Sequence, residues 1–317
     1  MGYRSPLETR LAKKTTKAIT DFNLVEDGDR VMVGLSGGKD SWALIQILDE
    51  LRKRAPIKFS LVAVNVDSGY EGYQHQQVGE ACRERGWEFY SEHTNIGAVI
   101  DDKLDSDDTP CSLCARLRRG VLYRMARETG ATKIALGHHL DDFIETALLN
   151  LFFAGALKAM PARLTSDNGA HVVIRPLVYV TEAEARAYCK ERALPIIGCC
   201  CPACGDLSLQ RQRVKRLIAE LEREYPAVKN SMIKALANVM PRWLLDRRLN
   251  PPGEVRQAIA TQLEEFLPAV ASAEVGDEVP ADVPLIPLML SRPMAPKPQA
   301  PHLRQGYGGQ AAKPSES

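Results

Sequence analysis

The sequence predicts a doubly wound α/β domain on a parallel sheet, and three observations predict it. Short apolar runs and amphipathic segments alternate over more than a hundred residues, the pattern of strands joined by crossover helices. A glycine-rich stretch, LSGGKDS at 35–41, falls between the first such strand and the helix after it. A polar stretch, GHHLDD at 137–142, stands in the same relation to a later strand and helix. Sheets of this class bind ligands at the carboxyl ends of their strands, where the strand order reverses, so these two stretches are where chemistry is sought.

The elements follow in order. Residues 1–20 form a basic amphipathic helix, with Arg4, Arg10, Lys13, Lys14 and Lys17 set against Glu8, and the Asp-Gly of DFNLVEDGD ends this opening region. Val31–Leu35 is short and wholly apolar, as a buried parallel strand should be. Leu44, Ile47, Leu48 and Leu51 then recur at the spacing of a helix packed on a sheet. The alternation continues with a strand at Phe59–Val66, a helix at Gly72–Arg85, a strand at Trp87–Tyr90 and a helix at Ser112–Thr129. A strand at Lys133–Leu136 and a helix at Asp141–Phe153 close it. Asp167-Asn168-Gly169 reads as a hairpin turn between ARLT and HVVIRPL. A helix near Glu182–Arg192 precedes GCCCPACG at 198–205, and Val214, Leu217, Ile218 and Leu221 mark one more helix.

These elements divide the chain into a nucleotide-binding domain at 21–193, a small helical, cysteine-bearing C-terminal extension at 194–250, and a tail at 251–317. The tail holds 11 of the 20 prolines, a composition of disorder, although LIPLML at 285–290 has the makings of a docking segment or of plain linker. There is no internal repeat.

With 317 residues, 45% of them hydrophobic and 26% charged, the chain can bury a full core and carry an appended region. Its net charge of +1, from 41 basic and 40 acidic residues, predicts no polyanionic partner as a whole, so charge must be read locally. Neither a secretory signal nor an apolar run of about 18 residues is present, which points to a cytoplasmic protein without membrane contact. Thiols stay reduced there, so four cysteines within eight positions point to metal or sulfur chemistry before disulfides.

LSGGKDS is a phosphate cradle by its physics. Gly37 and Gly38 let backbone N–H groups approach an anion, the helix start adds its positive dipole end, and Ser36, Lys39 and Ser41 supply further donors beside Asp40. Its spacing is not that of GxxxxGK[ST]. In GHHLDD, Asp141 and Asp142 either cap the helix or, next to a phosphate loop, hold Mg²⁺ or take a proton. At least one of His138 and His139 is structural. Cys111 and Cys114 form a CxxC, open to redox, zinc or cluster chemistry, and Cys201-Pro202-Ala203-Cys204 forms a second. A structural four-thiolate zinc site is therefore a live reading. Against it, the two pairs stand much farther apart than the roughly 12–20 residues of a zinc ribbon.

SGGKDS resembles the PP-loop of ATP pyrophosphatases, the adenine nucleotide alpha hydrolase-like fold, whose members cleave ATP to AMP and pyrophosphate. With PCSLCARLRRG, ATKIALGHHLDD and CPACG followed by LQRQ, the chain from about 21 to 216 closely resembles the tRNA 2-thiocytidine synthetase (TtcA) family. That resemblance implies an ATP-dependent enzyme that replaces the C2 oxygen of cytidine 32 in the tRNA anticodon loop by sulfur. It implies ATP and Mg²⁺, with Ser36–Ser41, Ala63 near the adenine, Asp67, Gly137 and His138 around the nucleotide, and Asp141, Asp142 and Arg118 in catalysis. It also implies a [4Fe-4S] cluster on Cys111, Cys114 and a third cysteine. The family pattern places that third ligand at Cys204, but CCCPAC is apparently one residue longer than the pattern, so Cys201 remains an alternative. Cysteine desulfurase as sulfur donor and a homodimer follow from the same resemblance.

Cys199 and Cys200 are read as tolerated thiols, Cys82 and Cys189 as small hydrophobes on helices. By the same resemblance Arg118 is expected to polarise the base or the α-phosphate; on its own charge it simply attracts RNA. Arg116, Arg118, Arg119, Arg124 and Arg127 make a basic helix that, with the basic N-terminus and Arg211–Arg216, flanks the site with positive patches suited to RNA phosphates. Two rivals stand beside this reading: another PP-loop enzyme, either thiolating a uridine, whose enzymes usually add zinc fingers absent here, or amidating a small molecule, which needs no paired CxxC, and a nucleotide-binding sulfur-relay or RNA-binding protein with structural zinc and no turnover.

Overall fold

The computed structural model describes residues 2–103, 111–166, 169–198 and 210–245, with Cys111, Ser112 and Arg242 described in backbone only. Contacts separate the chain into Met1–Val239 and Met240–Ser317. Of the second unit, the described part is 240–245, with a single 3-10 turn at Pro241–Trp243.

The first unit opens with α1 (Pro6–Phe22). The Ser5 hydroxyl accepts from the Glu8 N–H at 3.0 Å, Pro6 occupies the first turn, and Asn23 ends the helix in the left-handed region at φ 46°. Leu11, Ala12 and Ala18 are buried in the same core as the sheet, so this helix is built into the nucleotide-binding fold. Its charges also have local work: Arg10 and Lys14 meet Glu184, and Lys17 meets Asp21.

The sheet contains β1 (Arg30–Gly34), β2 (Ser60–Asp67), β3 (Glu88–His93), β4 (Lys133–Ala135), β5 (Arg163–Thr165) and β6 (Val172–Ile174). Its order is β3-β2-β1-β4-β6-β5. All neighbours are parallel except β5 and β6, the expected hairpin, whose residues Asp167 and Asn168 lie outside the described residues. The sheet is thus mixed at one edge, where the hairpin adds β6 parallel to β4 and β5 antiparallel outside it. The chain leaves β1 toward β2 and β3 and returns to β4 on the other side, which makes the carboxyl ends of β1 and β4 the switch point.

Helix α2 (Lys39–Arg52) is buried from Ser41 through Leu51 and packs on α1 and α7 (Glu182–Glu191), beyond the single stripe the sequence predicts. Helix α3 (His75–Glu84) starts three residues later than expected, because Gly72 at φ +81° belongs to the preceding turn. β3 runs farther than Trp87–Tyr90 because it pairs with β2 as far as Asp67 opposite His93. Helix α4 (Ile96–Lys103) is an addition, while α5 (Cys111–Glu128) covers the face of Met32, Val62, Val64 and Ile134.

Helix α6 (Leu140–Phe153) packs on α8 (Gln210–Glu224) and on α9 (Val228–Leu236), a second unexpected helix, with Leu140 and Ile144 meeting Val214 and Ile218 of α8 and Met232 and Ile233 of α9 in one cluster. Among the described residues, no helix is long and apolar enough to cross a membrane.

Candidate active site

The loop after β1 has its backbone acceptors turned into the protein. The Leu35 carbonyl accepts from Asn65 Nδ2 at 2.7 Å, the Ser36 carbonyl from the Tyr73 hydroxyl at 3.1 Å, and the Gly37 carbonyl from the Ile197 N–H at 2.9 Å. The Gly38 carbonyl accepts from Ser41 Oγ at 2.9 Å and from the Trp42 N–H at 3.2 Å. Asn65 Nδ2 also donates to Tyr73 Oη at 2.6 Å, which ties the two clamps together. With four consecutive carbonyls engaged, none of them is left to face an anion; the Leu35, Ser36 and Gly38 N–H groups are engaged too, on the Val64 carbonyl, Ser41 Oγ and Ser36 Oγ, which leaves the Gly37 N–H and the start of α2, with its dipole, for a ligand. Gly37 sits at φ +79°, where an added Cβ would lie 3.2 Å from Ile197 Cβ, so a glycine is required twice over. Ser36 and Ser41 brace each other, the Ser36 N–H donating to Ser41 Oγ at 3.2 Å with the hydroxyls 3.3 Å apart.

The loop after β4 is pressed against this cradle. A Cβ at Gly137 would come within 2.9 Å of the Asp40 carbonyl carbon and the Ser41 nitrogen. His139 Nε2 stands 3.7 Å from Asp40 Oδ1. Asp40 Oδ1 and His139 Nδ1 are buried atoms without a hydrogen-bond partner among the described residues. Such groups are costly to leave unmet and mark a place for a ligand, ion or water.

Asp141 and Asp142 both serve the local frame. Asp141 Oδ2 accepts from the Glu182 N–H at 2.7 Å, which caps α7, while Oδ1 pairs with Lys229 at 2.9 Å. Burial raises its pKa, but the hydrogen bonds from Lys229 and the Glu182 N–H outweigh that and leave it lowered. Asp142 accepts from the His139 N–H at 3.0 Å and pairs with Arg211 at 3.4 Å. His138 accepts at Nδ1 from Arg175 Nε at 3.3 Å, while His139 is the more buried of the pair. Burial first, then the charge of Arg175, brings the His138 pKa to about 4, so it is neutral near pH 7.

Lys39 lies between two carboxylates, 2.9 Å from Asp40 and 3.1 Å from Glu182. Glu182 also meets Lys215 at 2.6 Å. Burial raises the Glu182 pKa, but Lys215 and Lys39 overcome it and bring it to about 2. Glu182, Asn65, Tyr73 and the Ile197 backbone are parts of the site that sequence reasoning missed. VNVD at the end of β2 was the available signal for Asn65, whereas nothing local marks the other three.

On the far side of β1, Ala63 is fully buried within β2 opposite Val33, and Asp67 ends that strand. Asp67 accepts from the Gly69 N–H at 2.9 Å and lies 2.8 Å from His93 Nδ1. These contacts leave the Asp67 carboxyl below its ordinary pKa although burial pushes it up. Arg118 Nε donates to Ser68 Oγ at 3.1 Å, which fixes the early turns of α5 at the carboxyl end of β2.

Cys111 opens α5, and Cys114, one turn later, is half-buried against the sheet face of Met32, Val62, Val64 and Ile134. Residues three apart share a helix face, so this spacing suits two ligands of one metal centre. On the opposite flank, Ile197, bonded to Gly37, leads directly into the second cysteine run. Cys199, Cys200, Cys201 and Cys204 lie outside the described residues. Cys82 and Cys189 are buried on α3 and α7, as small hydrophobes should be. Of the basic side chains, Arg116, Arg119 and Arg127 are exposed on α5, whereas Arg211 and Lys215 are held by Asp142, Glu145 and Glu182.

Residues 7–219 match the PP-loop domain family. A tRNA-cytidine(32) 2-sulfurtransferase from Geobacter metallireducens is 53% identical over 239 residues, 75% of this chain and 93% of the relative. A protein of the same name from Syntrophotalea carbinolica is 50% identical, covering 77% of this chain and 94% of that one. Among solved structures, the U34-tRNA thiolase NcsA from Methanococcus maripaludis with its [4Fe-4S] cluster superposes with a TM-score of 0.56 at 25% identity, over 74% of this chain and 81% of that one. With its switch-point cradle, its CxxC helix and a match that spans the PP-loop domain, this chain belongs to the tRNA-cytidine(32) 2-sulfurtransferase (TtcA) family of PP-loop enzymes.

Proposed function

We propose that the protein replaces the C2 oxygen of cytidine 32 of tRNA by sulfur, with ATP cleaved to AMP and pyrophosphate. The observation that carries this reading is the loop 35–38, whose four carbonyls are engaged inward at the switch point of the sheet, between the Cys111–Cys114 helix and the segment leading to the second CxxC.

The phosphates of ATP sit against the donors of 36–41, and Lys39, held by Asp40 and Glu182, offsets their charge. Attack of the cytidine O2 on the α-phosphorus forms the O–P bond, breaks the bond to the β-phosphate oxygen and releases pyrophosphate. The C2 position then carries AMP as leaving group, so attack by a sulfide-level sulfur at C2 expels AMP together with the original oxygen. Arg118, fixed by Ser68, is placed to balance negative charge that develops near the α-phosphate. Asp40 Oδ1, buried and unpartnered, is the oxygen best suited to Mg²⁺ and fits a hard cation beside phosphates. Cys111, Cys114 and Cys204 or Cys201 are thiol donors that fit an iron–sulfur centre, with Cys114 partly accessible at the helix start. When bound through three thiolates, a [4Fe-4S] cluster supplies one iron free to carry sulfur. A cysteine desulfurase is the matching source of that sulfur, and a homodimer the expected assembly.

The test is iron and acid-labile sulfide analysis of protein purified without oxygen, for the wild type and for Cys111→Ala, Cys201→Ala and Cys204→Ala. Iron with matching sulfide, lost in Cys111→Ala and in one of the other two, is expected, with ATP binding retained. Zinc without sulfide would overturn the sulfur-transfer mechanism. In parallel, Lys39→Ala should abolish AMP formation and leave the iron content intact.

A further inference from the structure

The end of α6 and the loop after it form an apolar shelf that the site described above does not use. Leu151, Phe152, Phe153 and Leu157 are 49%, 51%, 54% and 62% exposed, and the two phenylalanine rings meet edge to face at 6.2 Å. Large apolar side chains exposed together mark an interaction surface.

The shelf is a preformed feature. Asn150 Nδ2 donates to the Lys158 carbonyl at 3.1 Å, the Ala154 and Ala156 N–H groups both donate to the Asn150 carbonyl, and Gly155 turns the chain at φ +59°. Arg175 Nη1 donates to the Pro161 carbonyl at 2.6 Å, while its Nε holds His138. One side chain therefore joins the base of the shelf to the loop that presses on the phosphate cradle.

The charge on the shelf's own segment is basic, although Arg163 stands 4.0 Å from Glu26. From Thr146 to Ser166 the chain carries Lys158 and Arg163 and no acidic residue. Arg175 is buried, and Lys158 is exposed beside the two rings. Aromatic rings beside a cationic track are the physical requirements for single-stranded nucleic acid, whose bases stack while its phosphates follow the positive side.

We propose that Phe152 and Phe153 form a stacking platform for unpaired bases of the RNA substrate, with the exposed Lys158 on the phosphate path. This rests on the tRNA reading above and assigns that reading a specificity surface. Stacking there holds the loop nucleotides splayed while the reacting cytidine enters beside His138.

The experiment measures binding of an unmodified tRNA by wild type, by a Phe152→Ala/Phe153→Ala double variant and by Phe153→Trp. It also measures ATP binding and the mass in solution of each. The double variant is expected to bind tRNA about tenfold or more weakly, the loss that removal of base stacking brings. Its ATP affinity should stay within twofold and its salt dependence should be unchanged, because no cation is removed. Phe153→Trp should bind at least as tightly as wild type. Unchanged tRNA affinity in the double variant overturns the platform alone. So does a drop in oligomeric mass with RNA binding intact, which would assign the shelf to a second copy of the chain. A wild type that binds no tRNA overturns both the platform and the tRNA reading.

Discussion

Gly137→Ala tests the contact on which the site depends. Gly137 is not among the glycines with positive φ, so alanine suits its backbone and the whole effect is steric. The added methyl would stand 2.9 Å from Asp40 C and Ser41 N and 3.0 Å from Asp40 O, where ordinary contact begins at 3.4 Å. All three are backbone atoms in the first turn of α2, a helix buried through Leu51 and packed on α1 and α7. That turn cannot swing aside as a side chain would, so the two loops must part by roughly half an ångström at a cost of about 1–3 kcal/mol. If the cost falls on the cradle, ATP binding weakens by roughly fivefold to a hundredfold. Calorimetric titration with ATP, alongside a thermal melt, separates that loss from general destabilisation. Gly120→Ala is the control: its methyl meets nothing within 4 Å, and alanine stabilises a helix by about 1 kcal/mol relative to glycine. ATP affinity in Gly137→Ala within twofold of wild type would refute the idea that the two loops must touch to shape the cradle.

Three further outcomes are expected. Tyr73→Phe removes the donor to the Ser36 carbonyl, and loss of one such bond, about 1 kcal/mol, should weaken ATP binding roughly fivefold with little change in melting temperature; equal affinity would show that Asn65 alone holds the loop. His138 has its folded pKa near 4, below the unfolded 6.5, so it adds stability above about pH 6.5 and loses it as pH falls toward 4. Urea denaturation at pH 7 and pH 4.5 should therefore show a smaller acid loss in His138→Asn than in wild type, and equal losses would contradict the assignment. Burial pushes the Cys82 and Cys189 thiols up to about 12, so iodoacetamide near pH 8 should label neither until the chain is unfolded; rapid native labelling, read by peptide mass spectrometry, would contradict their burial.

The alternation of strands and helices was legible because a parallel strand is a plain apolar run and a covering helix carries an apolar stripe, both local signals. The Asn-Gly hairpin was legible for the same reason. Its insertion of β6 beside β4 was not, since strand partners are chosen by packing across more than thirty residues of chain. Helices α4 and α9 were missed because they are short, at 8 and 9 residues, and at that length periodicity is a weak signal.

The sequence by itself determined the family and the place of its phosphate loop, because glycines, a lysine and serines at fixed spacing between strand and helix have few physical uses. It also marked both cysteine pairs of the proposed metal site, of which the first opens α5 with two thiols on one face. Only the tertiary structure decided which backbone groups of the loop are engaged within the protein. That choice belongs to Asn65, Tyr73 and Ile197, which reach the loop from 30 to 160 residues away. It likewise decided that Asp141 and Asp142 spend hydrogen bonds on helix ends and that Lys39 shares Glu182 with Lys215. Residue type states what a side chain can do, but a carboxylate takes whichever donors the fold brings within about 3 Å, and those come from distant parts of the chain.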